Sequence, residues 1–419
     1  MNDIVFQGQL TEGDSKQHIS HKFNVPDGIQ RIHIELEYAP YQAPKAPYPN
    51  QISLSLFDPN GARGGRHNNA DQSILLTHHT ASKGYVPGLL IAGEWDVVLD
   101  THRIMGNELT YTISVTLSDE LISEDSLTVH LPVTPADRGP GWYRGDLHSH
   151  TNHTDGALEV AELAQYARDF NLDFLALTDH NTISPLAEFH TYAGDDFLTI
   201  GGMELTTYYG HCLALGISQW QEWRLLDGAS IETLAQRVLD TSALFVIAHP
   251  MSIGDPQCTG CRWEFETMMP GIAPAVEIWN GRWDERNAEA VALYYSWLNE
   301  GHQLVCTAGT DLHTYPPPNV TGAAVNMVYA EHFTVEGVLN GIRKGNNYLT
   351  AGPLLNVKFT SEAGGNARYG DTLTGKSINY QISVTNINPG DKLHLIADGE
   401  VIEVTDLYEG NDIAGKIAP

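Results

Sequence analysis

GDLHSHTNHTDG, residues 145–156, places three histidines and two aspartates within twelve positions. If the segment through His150 ends a strand, Asp146, His148 and His150 alternate and point to one side of it. Two imidazoles and one carboxylate at a strand end resemble half of a metal site. A polar loop that happens to be rich in histidine is the alternative, and the rest of the chain has to decide between them.

The composition of the chain limits its size class, its partners and its location. With 419 residues it is too long for one ordinary hydrophobic core, so we expect two or three domains. A formal net charge of −29 argues against a nucleic acid polymer or an anionic membrane as partner; a small-molecule substrate remains compatible, and the oligomeric state is not indicated. No apolar run approaches the ~18 residues that span a membrane. The first residues lack the features of a secretion signal, and four cysteines do not suggest a disulfide scaffold, so a cytoplasmic location is expected.

Residues 1–133 show the alternation of a half-buried sheet. In Arg31–Ala39, and again in 109–117, apolar residues occupy every second position, and the turn sequence Asp-Pro-Asn-Gly at 58–61 separates such runs. This pattern predicts an N-terminal antiparallel β-sandwich with one wet face. No constellation of reactive side chains occurs here, so we expect the β domains to supply no metal ligand.

After a linker at 134–141, the pattern changes to strands that alternate with helices. Short apolar runs predict strands buried on both faces, and amphipathic stretches between them predict helices. This alternation over residues 142–350 predicts a parallel α/β barrel or a doubly wound sheet. The predicted strands are 174–178, 197–201, 211–217, 244–248, 275–279 and 304–309, and the predicted helices are 157–170, 231–239 and 288–298.

Residues 352–419 return to the two-residue period and form a C-terminal β segment. The dipeptide at 398–399, Asp-Gly, predicts a hairpin turn between two apolar runs. About four strands are visible, which is too few for an independent core. We therefore expect this segment to pack on the barrel or on the sandwich.

Histidine and carboxylate side chains follow the ends of five predicted strands in the middle domain. Active sites of parallel α/β folds form at the carboxyl ends of the strands, so these side chains are expected to meet. Five strand ends of this composition, with almost no lysine among them, favour a metal site over a polar loop. The residues are His148, His150, Asp179, His180, Glu204, His249, Asp311 and His313.

The same segments resemble a known family. The order DLHSHTNHTDG, LALTDHNT, GGMELTT, YGHCLALGI, IAHP and GTDLH resembles the PHP (polymerase and histidinol phosphatase) superfamily of metal-dependent hydrolases. The β domains, with IAHPMSIGDPQCTGCRW and VEIWNGRW, resemble its CehA/McbA branch. The resemblance implies a distorted (β/α)7 barrel with up to three clustered divalent ions. The expected architecture is thus multidomain, with this α/β barrel between the N-terminal sandwich and the C-terminal β segment.

The resemblance also implies a ligand set, carried over residue by residue. Asp155 stands where some members of the family have a histidine, which makes the third ion harder to load. A hairpin through 206–210 is expected to return His211 to the site. Imidazoles and carboxylates without thiolate suit Zn, Mn or Fe, so two or three such ions are expected. The first ion takes His148, His150, Glu204 and Asp311; the second takes Glu204 as a bridge with His211 and His249; the third takes Asp155, His180 and His313.

Four further residues beside the ligands are candidate catalytic residues. Asp146 and Asp179 are expected to orient ligating histidines, and the alternative is a helix cap or a turn acceptor. Asn280 and Arg282 follow the sixth strand and are expected to contact the substrate. The alternative for Arg282 is a surface salt bridge to Asp284 or to its neighbour at position 285. The pair at 258 and 261 has the spacing of a redox or zinc pair, but a loop that shapes the pocket is favoured.

Together these features predict a metallohydrolase that acts on a small substrate. Bound ions lower the pKa of a water and polarise the oxygen under attack, so no side-chain nucleophile is required. Phosphoester hydrolysis is the favoured reaction; the first alternative is hydrolysis of a carbamate, aryl ester or amide, and the second is a metal-stabilised binding module without turnover. A phosphoryl group needs cationic donors, whereas a neutral ester would use aromatic walls. The cationic candidates are Arg144, Arg262 and Arg282, and the aromatic candidates are Tyr208, Tyr209, Trp263, Trp279 and Trp283.

Overall fold

The computed structural model of the protein describes residues 2–106, 108–120, 130–314, 322–408, 410 and 412–417. The strands in these ranges form five sheets: two in the N-terminal region, one in the centre and two in the C-terminal region. Within the same ranges, no helix is both long enough and apolar enough to cross a lipid bilayer.

The N-terminal region is an antiparallel sandwich, as predicted. Its strands are β1 (Asn2–Leu10), β2 (Gln17–Val25), β3 (Arg31–Ala39), β4 (Gln51–Asp58), β5 (Gly61–Gly65), β6 (Ile74–Thr77), β7 (Gly93–Arg103) and β8 (Leu109–Ser118). One sheet has the order β1-β8-β3-β6 and the other the order β2-β7-β4-β5. Ile34 and Ile113 from the first sheet and Leu54 and Trp95 from the second are fully buried in one core, because alternate residues of each strand face the other sheet.

A nine-stranded sheet forms the central domain and is nearly closed. Its strands are β9 (Gly141–Asp146), β10 (Phe174–Leu177), β11 (Leu198–Thr207), β12 (Gly210–Leu215), β13 (Leu244–Ile247), β14 (Ala275–Asn280), β15 (Val305–Gly309), β16 (Val325–Ala330) and β17 (Asn347–Thr350), in the order β15-β14-β13-β12-β11-β10-β9-β16-β17. A gap separates β15, at one end of the sheet, from β16 and β17 at the other. Across this gap, the Asn326 side chain exchanges two hydrogen bonds with the Ala308 backbone, at 3.0 and 2.7 Å. Asn347 Nδ2 donates to the Cys306 carbonyl at 2.8 Å. Side-chain amides thus replace a strand ladder where the two ends of the sheet meet.

The central sheet is mixed, whereas the alternation of strands and helices predicted a parallel barrel or a doubly wound sheet; the reversal at β12 agrees with the hairpin expected through 206–210. β9, β10 and β11 are parallel, and so are β13, β14 and β15, but β12 runs antiparallel to both of its neighbours and β16 to both of its own. The reversal occurs at Tyr208 and Tyr209, because two residues suffice to join antiparallel strands. Every residue of β11 and β12 is buried, so their apolar pattern carries no sign of direction.

Five α-helices lie in the described part of the central domain: α1 (Val160–Asp169), α2 (Leu186–Phe189), α3 (Ile231–Asp240), α4 (Glu285–Asn299) and α5 (Val335–Arg343). α1, α3 and α4 match the predicted helices, with ends shifted by a few residues. Two of them begin at side-chain caps: Ser230 accepts from the Thr233 N–H at 3.3 Å, and Asp284 accepts from the Arg286 N–H at 2.9 Å. Such caps satisfy N–H groups that have no partner inside the helix.

The C-terminal segment has six strands in its described part, more than the four that were predicted. They are β18 (Leu354–Ser361), β19 (Asn366–Ala367), β20 (Ile378–Thr385), β21 (Lys392–Ala397), β22 (Glu400–Asp406) and β23 (Asp412–Ile417). The predicted turn at Asp398 and Gly399 joins β21 to β22. The segment also packs on the central domain, as expected, since the rings of Trp142 and Tyr369 lie 5.3 Å apart.

Candidate metal centre

The ends of the central strands bring all nine implied ligands into one cluster. β9, β10, β13 and β15 are each followed by ligands, β11 and β12 contain one each, and Asp155 lies in the loop before α1. The ligand atoms form four groups, and within each group all of them lie within 4.8 Å of one another. The groups are His150, Asp155, His180 and His313; His148, His249 and Asp311; His148, His150 and Glu204; and His180, Glu204 and His211.

Glu204 lies at the centre of this cluster and divides its two oxygens between two sets of imidazoles. Its Oε2 lies 3.2 Å from His148 Nε2 and 3.3 Å from His150 Nε2. Its Oε1 lies 2.9 Å from His211 Nδ1 and 3.1 Å from His249 Nε2. The hairpin between β11 and β12 returns His211 to this side, as predicted. A buried carboxylate in this position can bridge two ions.

Asp155, His180 and His313 form a group on one side of Glu204. Asp155 Oδ1 lies 3.4 Å from His180 Nε2 and 3.3 Å from His313 Nε2. His180 also faces Glu204 through Nδ1, at 3.0 Å. Asp311 Oδ1 lies 3.6 Å from His313 Nδ1. The position implied for a third ion is therefore contiguous with the first two.

Buried polar atoms without a hydrogen-bond partner test whether the cluster suits a metal. Among the described residues, His211 Nε2 is buried in this way. His150 Nε2 and Asp155 Oδ1 also lack a hydrogen bond, although groups of opposite charge lie 3.0–3.4 Å from them. Leaving such an atom unsatisfied costs roughly 1–3 kcal/mol, and a divalent ion would satisfy it. Nitrogen and carboxylate oxygen donors of this kind suit Zn, Mn and Fe. The residues present therefore fit divalent ions.

Three imidazoles are fixed through the ring nitrogen that faces away from the cluster. His148 Nδ1 lies 3.2 Å from Glu277 Oε2, and His249 Nδ1 lies 3.0 Å from the Cys261 carbonyl. His313 Nδ1 lies 2.8 Å from the carbonyl of Asp311. In each ring Nε2 is left to face the cluster. Metal-binding histidines commonly show this arrangement, because the outer hydrogen bond sets both the tautomer and the orientation of the ring.

Glu277 is a functional candidate that the sequence did not suggest to us. It lies in β14 and is 1% exposed. Besides the ring of His148, it accepts the backbone N–H of His249 at 3.1 Å and the side-chain amide of Asn280 at 3.3 Å. A charged residue inside the apolar run AVEIWN was the signal that could have found it, since glutamate is rarely buried without a partner.

Asp146 and Asp179 hold the loops that carry the ligands. Asp146 accepts the backbone N–H of Thr310 at 3.0 Å and also the hydroxyl of that residue. Asp179 accepts the backbone N–H of Thr151 at 2.9 Å and its hydroxyl. Burial raises the pKa of each carboxyl to about 6, against the effect of these hydrogen bonds. Neither bonds to a ligating ring within the described residues, so the orienting role passes to Glu277 and the turn-acceptor alternative fits both aspartates.

Two ligands occupy backbone conformations that residues other than glycine rarely adopt. The φ angles are 27° for His249 and 51° for Asp311. Conformations of this kind cost of the order of 1–3 kcal/mol and cluster at functional sites. The surrounding structure therefore holds both side chains in place at some expense of stability.

Opposite charges outweigh burial at Glu204 and His249, whereas burial prevails at His150 and His211 and lowers the pKa of both. Burial raises the pKa of Glu204, but His180, His148 and His211 together lower it well below its ordinary value. Burial lowers the pKa of His249, but the neighbouring carboxylates, Glu204 first, raise it to about 9. The carboxylates of the metal-free cluster therefore face both protonated and neutral imidazoles, and a divalent ion would replace the protons that are present.

A cavity of about 90 Å³ opens beside His249 and Glu277. Asn280 lines the cavity, and its amide lies 3.3 Å from Asp311 Oδ2, so this predicted site residue contacts a ligand directly. Asn287, at the start of α4, also lines the cavity. The lining is mostly polar, which suits a polar substrate group.

The cation nearest to this cavity is a different arginine from the one predicted. Arg286 lines the cavity and pairs with Asp284, with Nε 2.8 Å from Oδ2. Arg282 is exposed, and Asp284, one of its two predicted partners, binds Arg286 instead. Arg262 is also exposed, and Arg144 donates to the Phe170 carbonyl at 2.8 Å.

The five aromatic candidates divide into two classes. Tyr208 and Trp263 are buried, and the Tyr208 hydroxyl donates to a carbonyl of the sandwich at 2.8 Å, so both serve in packing. Tyr209 is exposed and lies under the Lys16 ammonium. The rings of Trp279 and Trp283 lie 4.6 Å apart, and Trp283 is half exposed.

The loop between β13 and β14 carries the cysteine pair. Cys258 and Cys261 are bonded through their sulfur atoms, with their Cα atoms 5.5 Å apart. Neither belongs to the four groups of ligand atoms. Besides His249 itself, this loop contributes to the cluster the Cys261 carbonyl, which lies 3.0 Å from His249 Nδ1.

Part of the chain is similar to a known domain family. Residues 146–238 match the family model described as PHP domain. A two-domain protein from Bacteroides vulgatus, which contains a predicted PHP-like metal-dependent phosphoesterase, shares 14% identity over 69% of this chain and 90% of its own, with a TM-score of 0.42. An amidohydrolase from Chromobacterium violaceum, with bound sulfate and no metal, shares 17% identity over 42% of this chain and 89% of its own, with a TM-score of 0.29. No curated protein matches the chain significantly. The matched residues include six of the nine clustered ligands.

Proposed function

We propose that the protein is a metal-dependent hydrolase whose substrate is a small phosphoester. The observation that carries the proposal is the division of Glu204 between two sets of imidazoles, one oxygen to each. In two-ion hydrolases a pair of ions ~3.5–4 Å apart activates water and stabilises the charge that develops during attack. The PHP domain match over residues 146–238 agrees with this class.

Two or three divalent ions, Zn, Mn or Fe, would be held by the nine clustered residues. The protein itself supplies their orientation. Glu277 fixes the ring of His148, and the Asn280 amide contacts Asp311. Outer partners of this kind matter to metal affinity nearly as much as the ligands do. We therefore assign Asn280 a role in positioning a ligand, at a point where it also borders the cavity.

The size and the lining of the cavity favour a phosphoryl group. A volume of about 90 Å³ is far below the ~300–1,000 Å³ typical of pockets for drug-sized ligands. Arg286 borders it and is the cation available to an anionic group, although this side chain is exposed and pairs with Asp284, which lines the cavity too. Of the aromatic side chains that an aryl ester would need, Tyr208 and Trp263 are already buried in packing.

Hydrolysis of a carbamate or aryl ester, and with it the CehA/McbA branch, is the second candidate. It is favoured by the paired rings of Trp279 and Trp283. Trp279 lies in the strand that carries Glu277, and Trp283 follows that strand and is half exposed. An aromatic leaving group could stack there. The same metal centre would serve either reaction, so the surrounding side chains have to decide.

A substrate panel on Mn- and Zn-loaded protein distinguishes the candidates. The panel contains p-nitrophenyl phosphate, bis-p-nitrophenyl phosphate, a p-nitrophenyl carboxyl ester and an aryl carbamate. We expect the phosphoesters to be turned over, and Arg286→Ala to lower their kcat/KM about tenfold, or about 1.4 kcal/mol, while sparing the carboxyl ester. Arg282→Ala is measured beside it, and the exposed Arg237→Ala is the matched control. Turnover of carbamate or ester that exceeds every phosphoester and ignores these arginines would reverse the assignment.

A further inference from the structure

A loop of the N-terminal sandwich lies against the proposed third metal position. This sandwich loop, residues 66–69, follows β5 and faces the segment that carries Asp155. Asn69 Nδ2 donates to the Thr154 carbonyl at 2.6 Å. Asn68 Nδ2 donates to Asp155 Oδ2 at 3.2 Å. The second bond occupies one oxygen of a ligand and leaves Oδ1 directed at the histidines of the third position.

His67, in the same loop, packs directly on a ligand. Its ring centroid lies 4.7 Å from that of His180 and 4.4 Å from that of His102, a residue of β7. His67 is 8% exposed, and its Nδ1 is buried without a hydrogen-bond partner among the described residues. Buried polar atoms usually have a hydrogen-bond partner, so packing of the sandwich alone does not explain why an imidazole occupies this position.

The position of the sandwich loop is fixed by close contact between the two domains. The Gly84 N–H donates to His153 Nδ1 at 3.3 Å, and the Gly84 carbonyl accepts from the Thr182 hydroxyl at 2.6 Å. A Cβ atom at Gly84 would lie 2.6 Å from the Gly65 carbonyl oxygen and 2.9 Å from that of His153, so glycine is required. The sandwich is therefore held close to the loops that carry Asp155 and His180.

We infer that the sandwich forms one wall of the third metal position, with His67 positioning His180 and Asn68 positioning Asp155. The inference rests on the metal centre of the proposed function and deepens it. It is compatible with the expectation that the β domains supply no metal ligand, because a domain without ligands holds two of the ligands in place. Loss of these contacts frees both side chains to adopt other rotamers, and ordering them again on metal binding costs free energy.

The test compares metal binding by two double variants of the full chain. The first is His67→Ala/Asn68→Ala. The matched control is His79→Ala/Asn24→Ala, which makes the same changes at exposed positions of the sandwich. Zn²⁺ and Mn²⁺ are titrated into chelator-treated protein by calorimetry, and the bound ions are counted by elemental analysis. Far-UV circular dichroism and thermal unfolding show whether each variant is folded, and the two single variants are measured as well.

We expect wild type and control to bind a third, weaker ion, and the first variant to bind that ion about tenfold more weakly while it retains the two ions at Glu204. Three ions with unchanged affinities in the folded variant would overturn the inference, and so would a wild-type protein that binds two ions or fewer. If the double variant is unfolded, the single variant Asn68→Ala, which changes an exposed residue, decides in the same way. The readout needs no substrate, so it is independent of the reaction. If the wild type binds three ions but is inactive, and the variant loses the third ion, the proposed reaction is refuted and the inference stands.

Discussion

The substitution Glu277→Gln tests how far the metal centre depends on a residue that binds no ion. Three groups donate to this carboxylate: the ring of His148 at 3.2 Å, the backbone of His249 at 3.1 Å and the amide of Asn280 at 3.3 Å. Glutamine keeps the volume but has one acceptor oxygen and an NH₂ group. In either orientation, the NH₂ faces a group that is itself a donor.

The expected magnitude follows from that conflict. A lost hydrogen bond to a charged group is worth roughly 1.5–3 kcal/mol. Loss of an outer partner of a metal-binding histidine typically lowers metal affinity by about 10- to 100-fold, or about 1.4–2.8 kcal/mol. The two estimates agree, so Glu277→Gln is expected to weaken the tightest ion within this range.

The assay is a competition titration of Zn²⁺ against a chromogenic chelator, on chelator-treated protein at fixed pH. Glu289→Gln is the matched control, since it makes the same change on the exposed side of α4. Circular dichroism of both variants confirms the fold. A Glu277→Gln protein that is folded and binds zinc within twofold of wild type would refute the role given to this carboxylate.

Glu204→Gln should remove more metal than Asp155→Asn, because Glu204 faces two sets of imidazoles; elemental analysis showing equal losses would contradict this. Cys258→Ser should leave metal content unchanged, because its sulfur lies in none of the ligand groups, and loss of metal would show the ligand set to be wrong. Asp137→Asn should destabilise the fold at pH 6 but not near pH 2. The backbone N–H of Gly139 and other donors lower the pKa of Asp137 from 3.8 to about 2, so its contribution is full above about pH 4 and is lost as the pH falls through 2. Urea unfolding of both proteins at the two pH values checks it, and a difference that persists at pH 2 would contradict it.

The strand pattern predicted that seven of the nine side chains would meet, because each of the seven follows, or lies in, a strand whose apolar residues are easy to recognise. Asp155 and His211 were implied by the family resemblance, and the hairpin expected through 206–210 accounts for the return of His211. Glu277 escaped because its neighbours in the sequence are apolar and its partners, including His148, are distant in the chain. The antiparallel direction of β16 escaped because no strand was predicted at 325–330.

The contact between the sandwich and the cluster could not be predicted from local pattern at all. Asn68 and Asp155 are separated by 87 positions, and the segment 66–69 has neither periodicity nor a recognisable motif. Docking of two domains depends on the shape of both surfaces. A glycine such as Gly84 allows the two backbones to approach closely, but the sequence does not show which surface it approaches. The function of a polar loop of this kind can be inferred only when the surface that it contacts is known.

The docking of the sandwich over the ligand loops has a thermodynamic counterpart. Binding equilibria that influence one another do so by the same factor in both directions. If the attached sandwich tightens the hold on an ion, that ion must tighten the attachment of the sandwich equally. Removal of the metal by a chelator would then weaken the contact between the two domains. The peptide at 134–141 that connects them would be cleaved more readily by a protease after the metal is removed.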